Sequence, residues 1–377
     1  MVPRPQYRKR IKRALARNPV VALIGPRQCG KTTIAREFLE EGESGYFDME
    51  DPFVAEAMED PMATLSPLEG LIVIDEAQRR PELFPVLRVL ADRKSSKARF
   101  LILGSASPEL SRQSAESLAG RIEIIEMAGF DLAEVSTNEQ HRLWLRGGLP
   151  RSFLADEEGD SYEWRRQFIR TFVERDIAQL GFRISPTAIG RFWRMLSHYH
   201  GQIFNGSEIA SALGVSPQTA HNYLNALEQT YMVRRLEPWF VNVGKRLVKS
   251  PKVYLCDSGL FHTLQGIRNH EELVACPKLG ASWEGFALEQ ILRQLPGEDA
   301  YFYAVHNGSE LDLYLPQHHV GFEIKRKDAP RRSRSMSIAK KDLQLKQLYV
   351  VYPGERRHSL ADGIEAVPLS TNIASLL

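Results

Sequence analysis

The sequence predicts an α/β protein of several domains built on a phosphate-loop nucleotide-binding core, and three runs of residues carry that prediction. The first is Gly25-Pro26-Arg27-Gln28-Cys29-Gly30-Lys31-Thr32, a complete G-x-x-x-x-G-K-[ST] loop. It lies between the apolar run Val20-Val21-Ala22-Leu23-Ile24 and the helix-like Thr33-Ile34-Ala35-Arg36-Glu37-Phe38-Leu39. The second is Leu71-Ile72-Val73-Ile74-Asp75-Glu76, an apolar run that ends in two carboxylates, as a buried parallel strand does at its C-terminal edge. The third, Arg99 to Ser107, is another buried strand, and it ends in hydroxyls.

Each element has a chemical reading. The glycines of the loop let backbone N–H groups turn inward around phosphate oxygens, and the helix start adds its positive end. Lys31 is expected to reach the β- and γ-phosphates and Thr32 to ligate Mg²⁺, with Gly25 to Thr33 as the binding segment, so ATP and Mg²⁺ are the expected cofactors. Cys29 reads as a small filler of the loop. Asp75 is expected to hold Mg²⁺ through water and Glu76 to polarise the attacking water, a Walker B pair. Ser105 sits where a strand edge faces the nucleotide and is the candidate sensor of the γ-phosphate. A helix then leads to Leu118-Ala119-Gly120-Arg121. Arg121 has two readings: an arginine finger offered to a neighbouring subunit, or a surface salt bridge.

Composition bounds the rest. The 377 residues leave room for about two or three domains. With 43% hydrophobic and 25% charged residues the chain reads as a soluble globular protein. No stretch approaches the about 18 apolar residues that cross a bilayer. The basic start, Arg4 to Arg13, leads into the first strand without an apolar signal segment, so a cytoplasmic location with no membrane partner is expected. Cys29, Cys256 and Cys276 lie far apart and form neither metal spacing nor a disulfide framework. The net charge of +2 hides segregation: every charged side chain from Glu40 to Asp60 is acidic, whereas the N-terminal arm and Lys325 to Lys346 are crowded with Lys and Arg. Such local basic surfaces suit a polyanion or are solvated faces.

Past the core, Phe168, Phe172, Ile177 and Leu180 fall at roughly helical spacing in a lid or linker helix from Tyr162 to Leu180. Arg175-Asp176 within it reads either as a structural pair or as a second trans-acting arginine. Ser207 to Gly214 and Ser216 to Leu227 form two helices joined by a glycine turn, with Ser207 and Ser216 as N-caps and Pro217 at a first helical position. Ala220, Tyr223, Leu224 and Leu227 face the core, leaving Gln218, Thr219, His221, Asn222 and Asn225 exposed to touch base edges or phosphates. Met232 to Trp239 then alternates like the wing hairpin of a winged helix. Such folds also serve as connectors and protein docks.

The C-terminal stretch offers an amphipathic helix over Trp283 to Leu292 and a strand over Tyr301 to Val305. A turn at His306 to Ser309, a returning strand over Glu310 to Leu315 and a closing strand over Val320 to Lys325 follow. Glu323 and Lys325 are two apart on one strand and share a face, and Asp312 on the preceding strand points at the same spot. Carboxylates of this kind suit Mg²⁺ or Mn²⁺, Glu284 enters from the helix as a further ligand, and Lys325 orients or deprotonates a water for attack on a phosphodiester. Lys327, Arg331 and Arg332, with Arg334, Lys340 and Lys341, are placed to hold a nucleic-acid backbone. The order of helix acid, hairpin Asp and Glu-x-Lys resembles the PD-(D/E)xK nuclease superfamily.

A wider resemblance runs through Gly25 to Thr33, Leu71 to Gln78, Gly104-Ser105-Ala106-Ser107, Leu118 to Arg121 and Gly147-Gly148-Leu149-Pro150. It continues through Phe172 to Ile177, Lys249 to Tyr254 and Cys256 to Leu260. Together these motifs, which span nearly the whole chain, resemble the prokaryotic AAA-superfamily ATPases that carry a C-terminal domain of unknown function 4143. The resemblance implies an AAA-type ATPase core and an oligomeric ring. The expected division is an AAA-type core over 1–135, a helical lid over 136–190, a winged helix over 191–240 and a nuclease-like domain over 241–377. The expected function is an ATP-hydrolysing motor acting on DNA as a homo-oligomer. Its rivals are an ATP-dependent regulatory switch or scaffold, and an ATP-gated, Mg²⁺-dependent endonuclease.

Overall fold

The computed structural model describes residues 2–39, 44–93, 97–105, 116–240, 248–305 and 308–377. Ala106, Ser107, the start of the helix before Leu118 and the turn residues His306 and Asn307 lie outside them. The chain forms two compact units. One comprises Met1–Gly129 with Thr171–Pro186 and Gln229–Tyr231, and the other comprises Phe130–Arg170, Thr187–Glu228 and Met232–Leu377.

The first unit is built on a parallel sheet of β1 (Val20–Gly25), β2 (Ser44–Asp48), β3 (Leu71–Asp75), β4 (Arg99–Ser105) and β5 (Ile122–Glu126), in the order β2-β3-β4-β1-β5. Parallel sheets are covered on both faces, which is why β1 and β3 read as unbroken apolar runs. The period of two then divides them: Val20, Ala22 and Ile24 join Ile72, Ile74, Phe100 and Ile102 in one core with Leu83, Phe84, Leu87 and Leu90 of the helix Leu83–Ala91. Each such fully buried side chain contributes about 1.5–3 kcal/mol.

The basic start is not an arm running straight into β1. Pro5–Arg17 is a helix that buries Tyr7, Ile11 and Ala14, one face at spacings of four and three, while its Lys and Arg residues occupy the rest. The segment Tyr162 to Leu180 changes helical type along its length. Glu158–Thr171 is α-helical, Phe172–Asp176 is a π-helical turn and Ile177–Gln179 resumes the α-helix. Phe172 and Ile177, both buried, are five residues apart, the spacing that an i→i+5 turn returns to the same face.

The second unit carries a nine-stranded sheet. Its strands are β6 (Gln202–Ile203), β7 (Val233–Pro238), β8 (Lys252–Leu255), β9 (Tyr301–Ala304), β10 (Glu310–Leu315), β11 (Val320–Ile324), β12 (Gln347–Tyr352), β13 (His358–Ala361) and β14 (Ile364–Pro368). The order is β13-β14-β12-β11-β10-β9-β7-β8-β6. β9, β10 and β11 are antiparallel neighbours, and β12 returns parallel to β11. The segment Met232–Trp239, expected as a wing hairpin, forms a single strand, β7. It pairs with β8 antiparallel and with β9 parallel, so it is part of the same sheet as the C-terminal strands.

The helix pair Gly206–Leu213 and Pro217–Gln229 is present. Gly214 takes φ 69° as the left-handed cap of the first helix, where any other residue would be strained. The expected cap Ser207 is corrected: Asn205 caps that helix by accepting from the Glu208 N–H at 3.3 Å, and Ser207 lies inside it. Ser216 does cap the second helix, accepting from the Thr219 N–H at 3.1 Å. Among the described residues no helix is long and apolar enough to cross a membrane.

Candidate functional site

Strand register assembles the first site. Gly25 lies opposite Ser105 and Asp48 opposite Asp75, and each is the last residue of its parallel strand, so these residues line one edge of the sheet. Ligands of open α/β sheets bind at that edge. The loop Gly25 to Gly30 leaves β1 there, with Gln28 at φ 61° and Gly30 at φ 101°, and turns into the helix Lys31–Leu39. At Gly25 a Cβ would stand 2.0 Å from the Met127 carbonyl oxygen, so only glycine fits. Cys29 is wholly buried and its thiol faces the Met127 carbonyl at 3.5 Å, the filler role expected of it.

The polar groups at this edge are held by neutral partners. Lys31 Nζ donates to the carbonyls of Gly25 at 3.1 Å and Pro26 at 2.9 Å. Thr32 Oγ1 donates to Asp75 Oδ2 at 2.8 Å, and Tyr46 OH donates to the same oxygen at 2.9 Å. Asp75 Oδ1 accepts from the Glu76 N–H at 2.9 Å. Among the described residues Ser105 Oγ is buried without a hydrogen-bond partner. Glu76 sits in the left-handed region at φ 53° and accepts from the Gln78 side chain. Burial raises its carboxyl above the usual carboxylate range, while Lys31 and Arg27 pull the other way. Among the described residues, a hydroxyl without a partner, a carboxylate that accepts from N–H and O–H donors and a lysine that donates to carbonyls fit a magnesium-bound triphosphate.

Several supporting residues carry no motif. Arg4 is buried and donates to the carbonyls of Cys29 at 3.1 Å, Ala128 at 3.0 Å and Gly129 at 3.1 Å, fastening the outer side of the loop. Arg27 donates to Asp176 Oδ1 at 2.6 Å and to Gln179 Oε1 at 3.0 Å, so the loop grips the π-helical turn. Arg175 donates to the same Asp176 oxygen at 3.2 Å, the structural pair among its two readings. Pro26 is half-buried, and Gln28 and Thr33 are exposed around the loop mouth. Arg121 is not gathered here. Its carbonyl accepts from the Val20 N–H at the opposite end of β1, and its guanidinium makes a bidentate pair with Asp92 at 2.6 and 2.9 Å.

The second unit holds its own cluster. Asp312 and Glu323 are buried on β10 and β11, and Glu284 projects from the helix Leu279–Arg293. Asp312 Oδ2 accepts from the Ile324 N–H at 2.7 Å, and Lys325 Nζ lies 2.6 Å from Glu323 Oε1. The unexpected member is Lys252 on β8. Its Nζ lies 3.4 Å from Glu284 Oε1, 3.9 Å from Asp312 Oδ1 and in direct contact with Glu310. Tyr254, two residues on and facing the same way, donates to Glu284 Oε1 at 2.7 Å. Burial, reinforced by Asp312, pushes the Glu284 carboxyl up to about 7 and the Glu323 carboxyl up to about 8. Among the described residues no group of three or more His, Cys, Asp or Glu side chains is arranged to hold a metal ion.

Of the remaining predicted contacts, Gln218, His221 and Asn222 are exposed, and Thr219 and Asn225 are half-buried. Gln218 donates to Asn222 at 3.1 Å along the helix. Lys327, Arg331 and Arg332 are exposed in the loop that follows β11.

Three family profiles match the chain: an AAA domain over residues 17–136, a domain of unknown function (DUF8612) over 137–271 and a domain of unknown function (DUF4143) over 279–371. The uncharacterized proteins Mb2031c of Mycobacterium bovis and Rv2008c of Mycobacterium tuberculosis are each 52% identical over 370 residues, 98% of this chain and 84% of theirs. Among solved structures, the Walker-type ATPase paby2304 of Pyrococcus abyssi is similar with a TM-score of 0.52 at 16% identity, over 70% of this chain and 96% of that one. At that identity the likeness concerns the fold.

Proposed function

Because the chain belongs to the family of AAA-domain proteins that carry a C-terminal domain of unknown function 4143, we propose that it is an ATP-hydrolysing motor that acts on DNA as a homo-oligomer. One observation carries the ATPase reading: Thr32 and Asp75 share a hydrogen bond at the strand edge where Ser105 ends β4. A magnesium ion there would be held by Thr32 and Asp75 and would supply positive charge to the phosphates. Lys31, which donates to the loop carbonyls, would offer its ammonium to the same phosphates. Glu76, held by Gln78 and raised by burial, draws the proton of the attacking water. The Ser105 hydroxyl donates to the γ-phosphate.

Arg121 stands at the far edge of its own sheet, so its guanidinium serves a nucleotide only across a subunit boundary, once released from Asp92. That geometry favours an oligomer, with a ring as the closed form. For DNA, the support is the exposed basic run at Lys327, Arg331 and Arg332 and the polar side chains Gln218, His221 and Asn222 on one helix. The helix pair followed by the β7–β8 hairpin supports a winged helix. The succession of the helix Leu279–Arg293, antiparallel β9-β10-β11, the helix Arg334–Asp342 and parallel β12 supports a nuclease-like fold.

Phosphate release by the full chain tests both parts. Lys31→Ala and Glu76→Gln are expected to lower the rate by at least about 100-fold, Glu76→Gln with nucleotide binding retained. DNA is expected to stimulate the wild-type rate at low salt and to lose that effect at high salt, and Arg331→Ala with Arg332→Ala is expected to reduce the salt slope by about 2. Full-rate hydrolysis by Lys31→Ala contradicts the site. Absence of DNA stimulation at every salt concentration contradicts the DNA reading and leaves a nucleotide-driven switch.

A further inference from the structure

Lys252 belongs to the motif Lys249-Ser250-Pro251-Lys252-Val253-Tyr254, which the ATPase chemistry does not use. It is 4% exposed, and a buried ammonium persists only where carboxylates compensate it. Lys252 has three such partners, Glu284, Glu310 and Asp312, and the ring of Phe302 lies 5.6 Å from its Nζ. β8 reaches this place because β7 pairs with β9, which carries the hairpin strands β7 and β8 into the sheet that bears Asp312 and Glu323. A divalent metal held by the same carboxylates needs their oxygens at about 2.0–2.6 Å, and it would have to occupy the space that the ammonium fills. A second lysine, Lys325, is taken up by Glu323.

We propose that the Lys252 ammonium is the built-in cation of this carboxylate cluster, standing where a nuclease-like fold would hold a divalent metal. Of the expected ligands, Glu284 and Asp312 are thereby taken up by Lys252 and Glu323 Oε1 by Lys325, so the three do not form a magnesium site. The C-terminal unit is then not a metal-dependent phosphodiesterase. Lys252 offsets part of the cost of burying Glu284, Glu310 and Asp312, and Lys325 pairs with one oxygen of Glu323, whose other oxygen, Oε2, has no hydrogen-bond partner among the described residues.

The test is titration of the full chain with Mn²⁺ in the absence of nucleotide at pH 7.5, followed by the magnetic-resonance signal of free Mn²⁺. Wild type is expected to take up no Mn²⁺ stoichiometrically below about 1 mM. Lys252→Met, which keeps the length and removes the charge, is expected to gain one Mn²⁺ per chain at least about tenfold more tightly, and a further Asp312→Asn is expected to abolish it. A wild-type chain that binds one Mn²⁺, lost in Asp312→Asn, overturns the proposal. So does a folded Lys252→Met chain that takes up none. Should Lys252→Met fail to fold, the wild-type and Asp312→Asn titrations decide alone. Phosphate release measured on the same preparations reports the ATPase reading separately.

Discussion

Each unit of the chain sets a lysine near carboxylates borne by a sheet, and the two arrangements differ in what that lysine holds. Lys31 donates to two backbone carbonyls, and Asp75 accepts from Thr32, Tyr46 and a backbone N–H. Neither charge is cancelled by the other, so both remain available to a phosphate and its metal. Lys252 instead meets Glu284, Glu310 and Asp312 directly, and Lys325 meets Glu323. The same residue types make an open receptor in the first unit and a closed ionic core in the second. A motif names the carboxylates; the source of the compensating charge decides what they do.

The largest expected effect breaks that contrast by removing each lysine in turn. All five tryptophans lie in the second unit, so their fluorescence follows that unit alone. In urea unfolding read by this signal, Lys252→Ala is expected to cost about 3–5 kcal/mol, because it strands buried carboxylates. Lys31→Ala is expected to leave the transition in place. Equal shifts in the two variants would erase the distinction.

Histidine titration should also act on one unit only. All ten histidines lie outside the first unit, and burial in the second holds His200 and His262 down to about 3. Both rings are therefore neutral when folded, whereas in the unfolded chain they titrate near about 6.5. Between those values the unfolded state binds more protons. Their contribution to stability is thus complete above about pH 6.5 and is lost as pH falls towards 3, by up to about 1.4 kcal/mol per pH unit for each ring. Tryptophan-monitored unfolding from pH 7 to pH 5 measures it in a Glu284→Gln, Glu323→Gln background, because those carboxyls, pushed up to about 7 and about 8, take up protons on folding over the same range with the opposite sign. A flat profile contradicts the buried neutral rings.

The smallest effect sharpens the first site. Tyr46→Phe removes one donor to Asp75 while Thr32 retains the other. A net hydrogen bond of about 1 kcal/mol corresponds to about fivefold in the Mg²⁺ concentration at half-maximal phosphate release. An unchanged Mg²⁺ dependence would exclude Tyr46 from positioning Asp75.

Much of the first site was legible because its chemistry is local in sequence. The loop Gly25 to Thr32 and the run Leu71 to Glu76 each put an apolar strand directly before its functional residues, and parallel pairing brings those ends together. Tyr46 was not legible, since β2 is a short strand within an acidic stretch and has no apolar run of its own. Arg4 and Asp176 were hidden for a different reason: their partners lie far along the chain, and only tertiary packing brings them to the loop. The π-helical turn left a trace, the five-residue step from Phe172 to Ile177, which a reading at fixed helical period passes over. In the second unit the residues Glu284, Asp312, Glu323 and Lys325 were found from order and alternation. The role of Lys252 was not, because it depends on β7 pairing with β9, a non-local contact with no signature in either segment.

The most direct test is Mn²⁺ uptake by the full chain with and without a slowly hydrolysed ATP analogue. The account predicts that one metal per chain binds only when the nucleotide is present, and that Lys31→Ala abolishes it. Metal binding that needs no nucleotide, survives Lys31→Ala and disappears with Asp312→Asn would contradict it.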